Sequence, residues 1–351
     1  MPARGVLQPG EHFENPETKR RFKNLLDGYE ITPALQRIAP SAVDEGILER
    51  FHTADYIARV KALSADMGGD AGEFAALGPG SYDIATMAVG GCIAAADAVV
   101  DGQVDNAYAL VRPPGHHAER DRGRGFCLFS NIGLTLMDQI VRGRIARAAV
   151  VDWDVHHGNG TEQAFYDRND VLTISLHQEH LYPSDTGELD KIGEGAGAGF
   201  NINAPLPPGS GAGTYTAAME RIVAPALRAY KPDLIVVACG FDASYFDPLG
   251  HMMLLADHYG ELTRSLLDIA GEICGGRVLA CHEGGYSAGY VPFCGVAVVD
   301  AMRGERSGVE DLFGAATDLQ WQALQPHQEA AIEAVETGPL AALLRHTGGT
   351  S

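Results

Sequence analysis

The chain has 351 residues, of which 46% are hydrophobic and 21% charged, enough apolar side chain to bury a sizeable core and too much for wholesale disorder. Its 46 acidic and 26 basic residues give a formal charge of −20, which argues against a reader of phosphate backbones, a role that needs a basic footprint. An acidic field attracts cations, but acidic proteins are common and the charge alone names no substrate.

The first residues show no basic leader ahead of an apolar core, and no run of about 18 apolar residues stands out, so neither a secretory leader nor a membrane span is expected. Cys92, Cys127, Cys239, Cys274, Cys281 and Cys294 form no CxxC pair and lie in apolar surroundings. They read as buried free thiols of a reducing, cytoplasmic compartment. The segment VRPPGHHAERDRGRGFCLFSN (111–131) sets His116 and His117 behind a stiff Pro-Pro-Gly turn. A lone histidine there would be an ordinary polar residue; an adjacent pair suits acid–base work.

Four short apolar runs follow: ARAAVVDWD (146–154), DVLTISLH (170–177), DLIVVACGFD (233–242) and RVLACHEGG (277–285). Between them, 213–230 and 255–273 carry apolar residues three and four apart, as amphipathic helices do. Apolar strands alternating with such helices predict a parallel sheet covered on both faces, with the active site beyond the strands' carboxyl ends. Residues two apart in an extended segment share a side, so Asp152, Asp154 and His156 line one face while His157 turns away. Carboxylates with imidazole are donors for Zn²⁺ or a similar ion, which takes about three protein ligands at a catalytic site and keeps one position open. Asp242 is the natural third donor. A single Asp at a strand end often only caps the next helix; two carboxylates and two imidazoles at 152–157 outweigh that reading. HEGGYS (282–287) begins like HExxH but has Tyr286 in fifth place, which excludes the zinc-protease helix. From about 305 to 351 the chain reads as helix, and residues 1–351 as one catalytic domain.

RPPGHHA, DWDVHHGNGT, ISLH, GFDA…DPLG and EGGY together resemble the histone deacetylase family, in its order and at its spacing, over roughly residues 10 to 300. NPETKRRF (15–22), Asn159, LPPGSG (206–211) and EGGYS…PFCG are most similar to class IIb-like bacterial amidohydrolases. The resemblance implies an arginase/deacetylase fold, one α/β domain around an eight-stranded parallel sheet. Arginases share that fold but hold two manganese ions through Asp-Ala-His-x-Asp; DWDVHH departs from this, so one zinc per chain is expected. By position, Asp154, His156 and Asp242 match the zinc ligands. His117 matches the general base, His116 its electrostatic partner, Asp152 the carboxylate that orients His116, and Asn159 the partner of His117. Tyr286 matches the phenol that donates to the substrate carbonyl. Structural potassium is also implied. An inner site would use Asp152, Ser175, Leu176 and the main chains of Asp154 and His156; an outer one would use carbonyls of Phe165, Arg168 and Val171.

The same resemblance places Phe126 and Tyr182 on the walls of a narrow tunnel, with Gly125 beside them. Leu249 stands where polyamine-selective relatives carry a glutamate, and Ser81 matches a serine that accepts the acyl-lysine amide N–H. The expected activity is hydrolysis of acetyl-lysine-like secondary amides by water activated at the metal, with acetylpolyamines and small metabolite or xenobiotic amides as the alternative. A two-metal ureohydrolase and a non-catalytic acyl binder are the competing classes. Expected partners are the substrate and further copies of the chain, as a dimer or tetramer, with neither nucleic acid nor membrane. NPETKRR comes almost at once, where relatives usually place a first strand and a loop, which raises the expectation of a truncated or late start.

Overall fold

Six strands form one parallel sheet in the computed structural model, which describes residues 12–316 and 322–348. In chain order they are β1 (Asn106–Ala109), β2 (Ala148–Asp152), β3 (Val171–Gln178), β4 (Asn201–Leu206), β5 (Leu234–Cys239) and β6 (Val278–His282). In space they run β1-β6-β5-β2-β3-β4. Every residue of β2, β5 and β6 is buried, as a parallel sheet with both faces covered requires.

Alternate residues feed two cores. Ala149, Val151, Ile235, Val237, Val278 and Ala280 meet Tyr215, Ile222, Leu227, Tyr259 and Leu266 on one face. Ala148, Val150, Leu234, Val236, Leu279 and Cys281 meet Tyr56, Val60, Val89 and Leu136 on the other. A fully buried aliphatic of this kind contributes about 1.5–3 kcal/mol. The six cysteines are all buried and free, as expected.

The sheet places the site by its order of strands. The chain steps outward from β2 to β3 and β4, then returns as β5 on the other side of β2, pairing Asp152 with Ala238. Where strand order reverses in this way, the loops at the carboxyl ends part and leave a crevice.

Four expectations change. Among the described residues the central sheet has six strands, not eight. The remaining ladders among the described residues, 69–70 with 76–77 and 72–73 with 123–124, are two-residue pairs outside it. They are too short and glycine-rich to be covered on both faces. The helix Ser81–Val100 is long and apolar enough to cross a membrane, with a mean hydropathy of 1.6, contrary to the expected absence of such a run. It carries Asp83 and Asp97 and packs Ala85, Val89, Cys92, Ala96 and Val99 into the second core, which accounts for its apolar character. The stretch 213–230 is helical but not uniform. Pro225 has no N–H to return to the preceding turn, and the helix widens over Met219–Val223 between Ala212–Ala218 and Ala224–Tyr230. At the other end helix begins at Leu312, not near 305, because Gly304 and Gly308 take positive φ. Pro326–Val335 and Ala341–Thr347 follow and pack on the body through Ile332, Val335 and Leu343. The expectation about the N-terminus falls on residues 1–11, outside the described residues, as do 317–321 and 349–351.

Candidate active site

Asp154 and His156 lie just past the end of β2, and Asp242 just past β5. His156 Nδ1 is 3.1 Å from Asp154 Oδ1 and 3.1 Å from Asp242 Oδ2. One ligand atom from each of the three comes within 4.8 Å of the others, and all three side chains are buried. The remaining oxygens are spent on backbone: Asp242 Oδ1 accepts Val155 N–H at 2.8 Å, and Asp154 Oδ2 accepts Gly284 N–H at 2.8 Å. Asp152 does not join them as the alternation suggested. Its Oδ2 faces His116 Nδ1 at 3.0 Å, the separate role that the resemblance implied.

Two carboxylates at 0% exposure are costly unless positive charge sits between them. A protonated His156 supplies one such charge. Burial disfavours the His156 cation, but its hydrogen bonds to Asp154 and Asp242 outweigh burial and raise its pKa to about 10. Burial and the charge of Asp154 push Asp242 up to about 6. Burial also opposes ionisation of Asp154, yet His116 and His156 hold its pKa below the usual carboxylate range. Two carboxylate oxygens and one imidazole nitrogen fit zinc or a similar divalent ion. The backbone closes tightly around them: a Cβ on Gly284 would lie 2.2 Å from Asp242 Oδ2 and 2.6 Å from Asp154 Oδ2.

The tandem histidines lie beside this cluster, with ring centroids 3.9 Å apart and the rings tilted by 42°, and His117 is 5.9 Å from the His156 ring. Their environments push them in opposite directions. For His116, burial is outweighed by Asp154 and Asp152, and its pKa rises to about 10. Burial and the neighbouring His116 and His156 charges drive His117 well below the ordinary imidazole range. His117 Nδ1 faces Asn159 Oδ1 at 2.7 Å.

Tyr286, Phe126 and Tyr182 ring the approach. Phe126 meets Tyr286 edge-on at 5.7 Å, and Tyr182 meets His117 at 5.3 Å. Gly125 sits between them with φ +51°, and a Cβ there would come 2.3 Å from the His117 ring and 2.8 Å from Tyr182. Only glycine allows the wall to close so near the histidine.

Residues 12–302 match the family model of the histone deacetylase domain. The chain belongs to the histone deacetylase family. It is 50% identical to a histone deacetylase-like amidohydrolase of Pseudomonas aeruginosa, across 91% of this chain and 85% of that one. It is 36% identical to a probable deacetylase of Archaeoglobus fulgidus, across 79% and 77%. Among solved structures, the HDA15 HD domain superposes with a TM-score of 0.87 at 29% identity, across 99% of this chain and 92% of that one. The protein is therefore a hydrolase of the deacetylase and amidohydrolase type, a family that is typically metal-dependent.

Two carboxylates of this deacetylase are functional residues that sequence reasoning misses. Glu283 is fully buried and accepts the N–H groups of Gly115 (2.6 Å) and His116 (3.1 Å), so it holds the loop that carries both histidines. Asp247 accepts Tyr286 N–H at 2.7 Å and Leu249 N–H at 2.9 Å, and so fixes the turn below the phenol. The motifs HEGGY and DPLG are the only signals for them, since both residues act through backbone amides. The Ser81 hydroxyl accepts Gly78 N–H at 3.1 Å at the start of its helix. Ser175 pairs with Asp152 across β2 and β3, next to Leu176, and its hydroxyl meets His177 at 3.0 Å. Further out, Phe165 C=O accepts Arg168 N–H at 3.0 Å, close to where Val171 opens β3.

His52 supports the same loop from behind. Its Nδ1 faces the carbonyl of Glu119 at 2.9 Å, and its Nε2 accepts Ser130 N–H at 3.0 Å, which requires the neutral ring. Burial accordingly lowers its pKa from 6.5 to about 4. The unfolded chain binds this proton more readily, so the stability due to neutral His52 is full above pH 6.5 and is lost as pH falls towards 4. Unfolding by urea should show a loss of up to about 3 kcal/mol from this residue across that window. A His52→Gln variant with an unchanged pH slope would refute the assignment.

Proposed function

We propose that the protein is a zinc-dependent amidohydrolase that removes acetyl or related acyl groups from acyl-lysine-like secondary amides. The convergence of Asp154, His156 and Asp242 beside a neutral His117 and the Tyr286 phenol carries this reading. Zinc held by those three residues supplies a Lewis acid for the scissile carbonyl and acidifies water there.

The rest is the work of side chains. His117, neutral and donating through Nδ1 to Asn159, keeps the Nε2 lone pair to take a proton from the attacking water and return it to the leaving amine. His116 stays protonated against Asp152 and stabilises the developing negative charge. Burial and the carboxylates of Asp242, Asp154 and Asp247 raise the Tyr286 pKa, so its phenol remains a donor to the carbonyl oxygen. Phe126 and Tyr182 favour a slender aliphatic chain between them, as in an acyl-lysine. Leu249 offers no charge to a polyamine, which is why the lysine-like amide is preferred over the acetylpolyamine and small-amide alternatives.

To this reading belong structural potassium at Asp152, Ser175 and Leu176, a second ion at the carbonyls of Phe165, Arg168 and Val171, and assembly into a dimer or tetramer in the cytoplasm. Turnover and thermal stability that are indifferent to replacing K⁺ by Na⁺ or choline would remove the potassium. The main experiment is steady-state hydrolysis by metal-quantified protein, with and without chelator. It compares acetyl- and trifluoroacetyl-lysine peptides, acetylpolyamines and simple N-substituted acetamides. The expected result is one zinc per chain and chelator-sensitive release fastest from the lysine amides. Faster release from acetylpolyamines would overturn the role of Leu249; faster release from small acetamides would move the substrate to that class. Full activity after metal removal would overturn the mechanism.

A further inference from the structure

The neutral Asn159 that holds His117 has a carboxylate directly behind it. Asn159 Nδ2 donates to Glu119 Oε1 at 2.8 Å and to His117 C=O at 3.3 Å. Both of those atoms only accept, so the amide is held with its NH₂ towards them and its oxygen towards His117. His117 Nδ1 must then carry the hydrogen, and the lone pair is left on Nε2. Glu119 is itself buried and pinned by Arg124 Nη1 at 3.1 Å and Arg122 Nε at 2.6 Å. Arg124 also binds Glu73 at 3.0 Å and Asp185 at 2.6 Å, and lies against the Tyr182 ring at 5.7 Å. One hydrogen-bonded chain therefore runs from Arg124, which lies against the tunnel wall, through Glu119 and Asn159 to the histidine.

We propose that Glu119 is a positioning residue for amide hydrolysis: through the Asn159 amide it fixes His117 as the Nδ1–H tautomer and supplies the negative charge that the amide lacks. The inference rests on the reading of His117 as the base. An amide alone has two nearly isosteric orientations, one of which would turn its NH₂ towards His117 and favour the wrong tautomer. Glu119 removes that choice, and its charge polarises the amide towards the imidazolium that forms during the reaction.

Reciprocal exchange tests it. Glu119→Gln keeps an acceptor but loses the charge, and is expected to lower kcat by about tenfold to a hundredfold with little change in KM. Asn159→Asp alone sets two carboxylates against each other where the 2.8 Å hydrogen bond stood, and should lower kcat as far. The double variant Asn159→Asp/Glu119→Gln restores one carboxylate and one amide in the reverse order, and should recover to within about threefold of the parent, a coupling that unrelated packing defects do not give. In histidine-¹⁵N spectra, His117 should be Nδ1–H in the parent and the double variant, and mixed in Glu119→Gln. An unchanged kcat in Glu119→Gln, or a double variant no better than the worse single one, overturns the proposal. His117→Ala separates the two layers: if it retains turnover, the base itself is misassigned; if it is inactive while Glu119→Gln matches the parent, only the relay fails.

Discussion

Asp242→Asn is expected to leave a folded protein with almost no zinc and a hydrolysis rate at least about a thousandfold lower. The asparagine oxygen can still accept Val155 N–H, so the crossing from β2 to the loop after β5 survives. The anionic oxygen facing His156 does not. Removing it also has a consequence for stability. Asp242 has its pKa raised in the fold from 3.8 to about 6, by burial and then by Asp154. The folded state thus holds this proton more tightly than the unfolded chain does. The resulting stabilisation is full below about pH 3.8 and lost as pH rises through 6, so relative to the acid limit the ionised residue is a burden at neutral pH. Asparagine carries no such burden, but it also removes one of the two partners that raise the His156 pKa, so metal-free Asp242→Asn and the metal-free parent should melt close together at pH 7.5. With zinc present the parent should melt higher, because only it gains binding free energy. Melting curves with and without zinc check this; zinc retained at one per chain in the variant would refute the ligand assignment.

Tyr286→Phe is expected to lower kcat by about two to three orders of magnitude while KM changes by no more than a few-fold. The phenyl ring keeps the edge-on contacts with Phe126 and His156, and the backbone bond to Asp247 is untouched, so the site should hold its shape. What disappears is the hydrogen-bond donor that the proposed mechanism assigns to the substrate carbonyl oxygen. Zinc content and melting temperature should match the parent. Steady-state kinetics with a lysine amide are the measurement, and parental kcat in this variant would take the phenol out of the chemistry.

The candidate metal site is legible in the sequence because its residues stand at the ends of apolar runs, where polarity is conspicuous. Asp154, His156 and Asp242 meet as the alternation of strands and helices predicts. Glu283, Asp247 and Glu119 are not legible, for a physical reason: each acts on a backbone amide or on another side chain, and such partnerships leave no spacing along the chain. Asp152 is visible as a polar residue but its role does not follow from the alternation, since a period of two puts it beside Asp154, whereas the strand ends at Asp152, the chain bends over 154–156 and the Asp152 carboxylate meets His116. The strand count fails because eight is implied by resemblance alone; the apolar runs themselves do not number so many. The apolar character of the helix Ser81–Val100 is easily missed because alanine and glycine make up much of it, and their small side chains signal burial only weakly.

His156 and Asp242 are 86 positions apart in the chain and meet only where β2 and β5 lie side by side. No short peptide cut from this sequence holds the complete set of donors. Nascent chain that has left the ribosome as far as β2 offers two ligands and no third, and contacts of such long range form late and slowly in a parallel sheet. On the proposed reading, zinc could not template this fold in the way that it templates a finger; it would bind a finished sheet and report that the sheet is finished. Bound metal during refolding should rise in step with the burial of Trp153 in the core beside those two strands, not ahead of it.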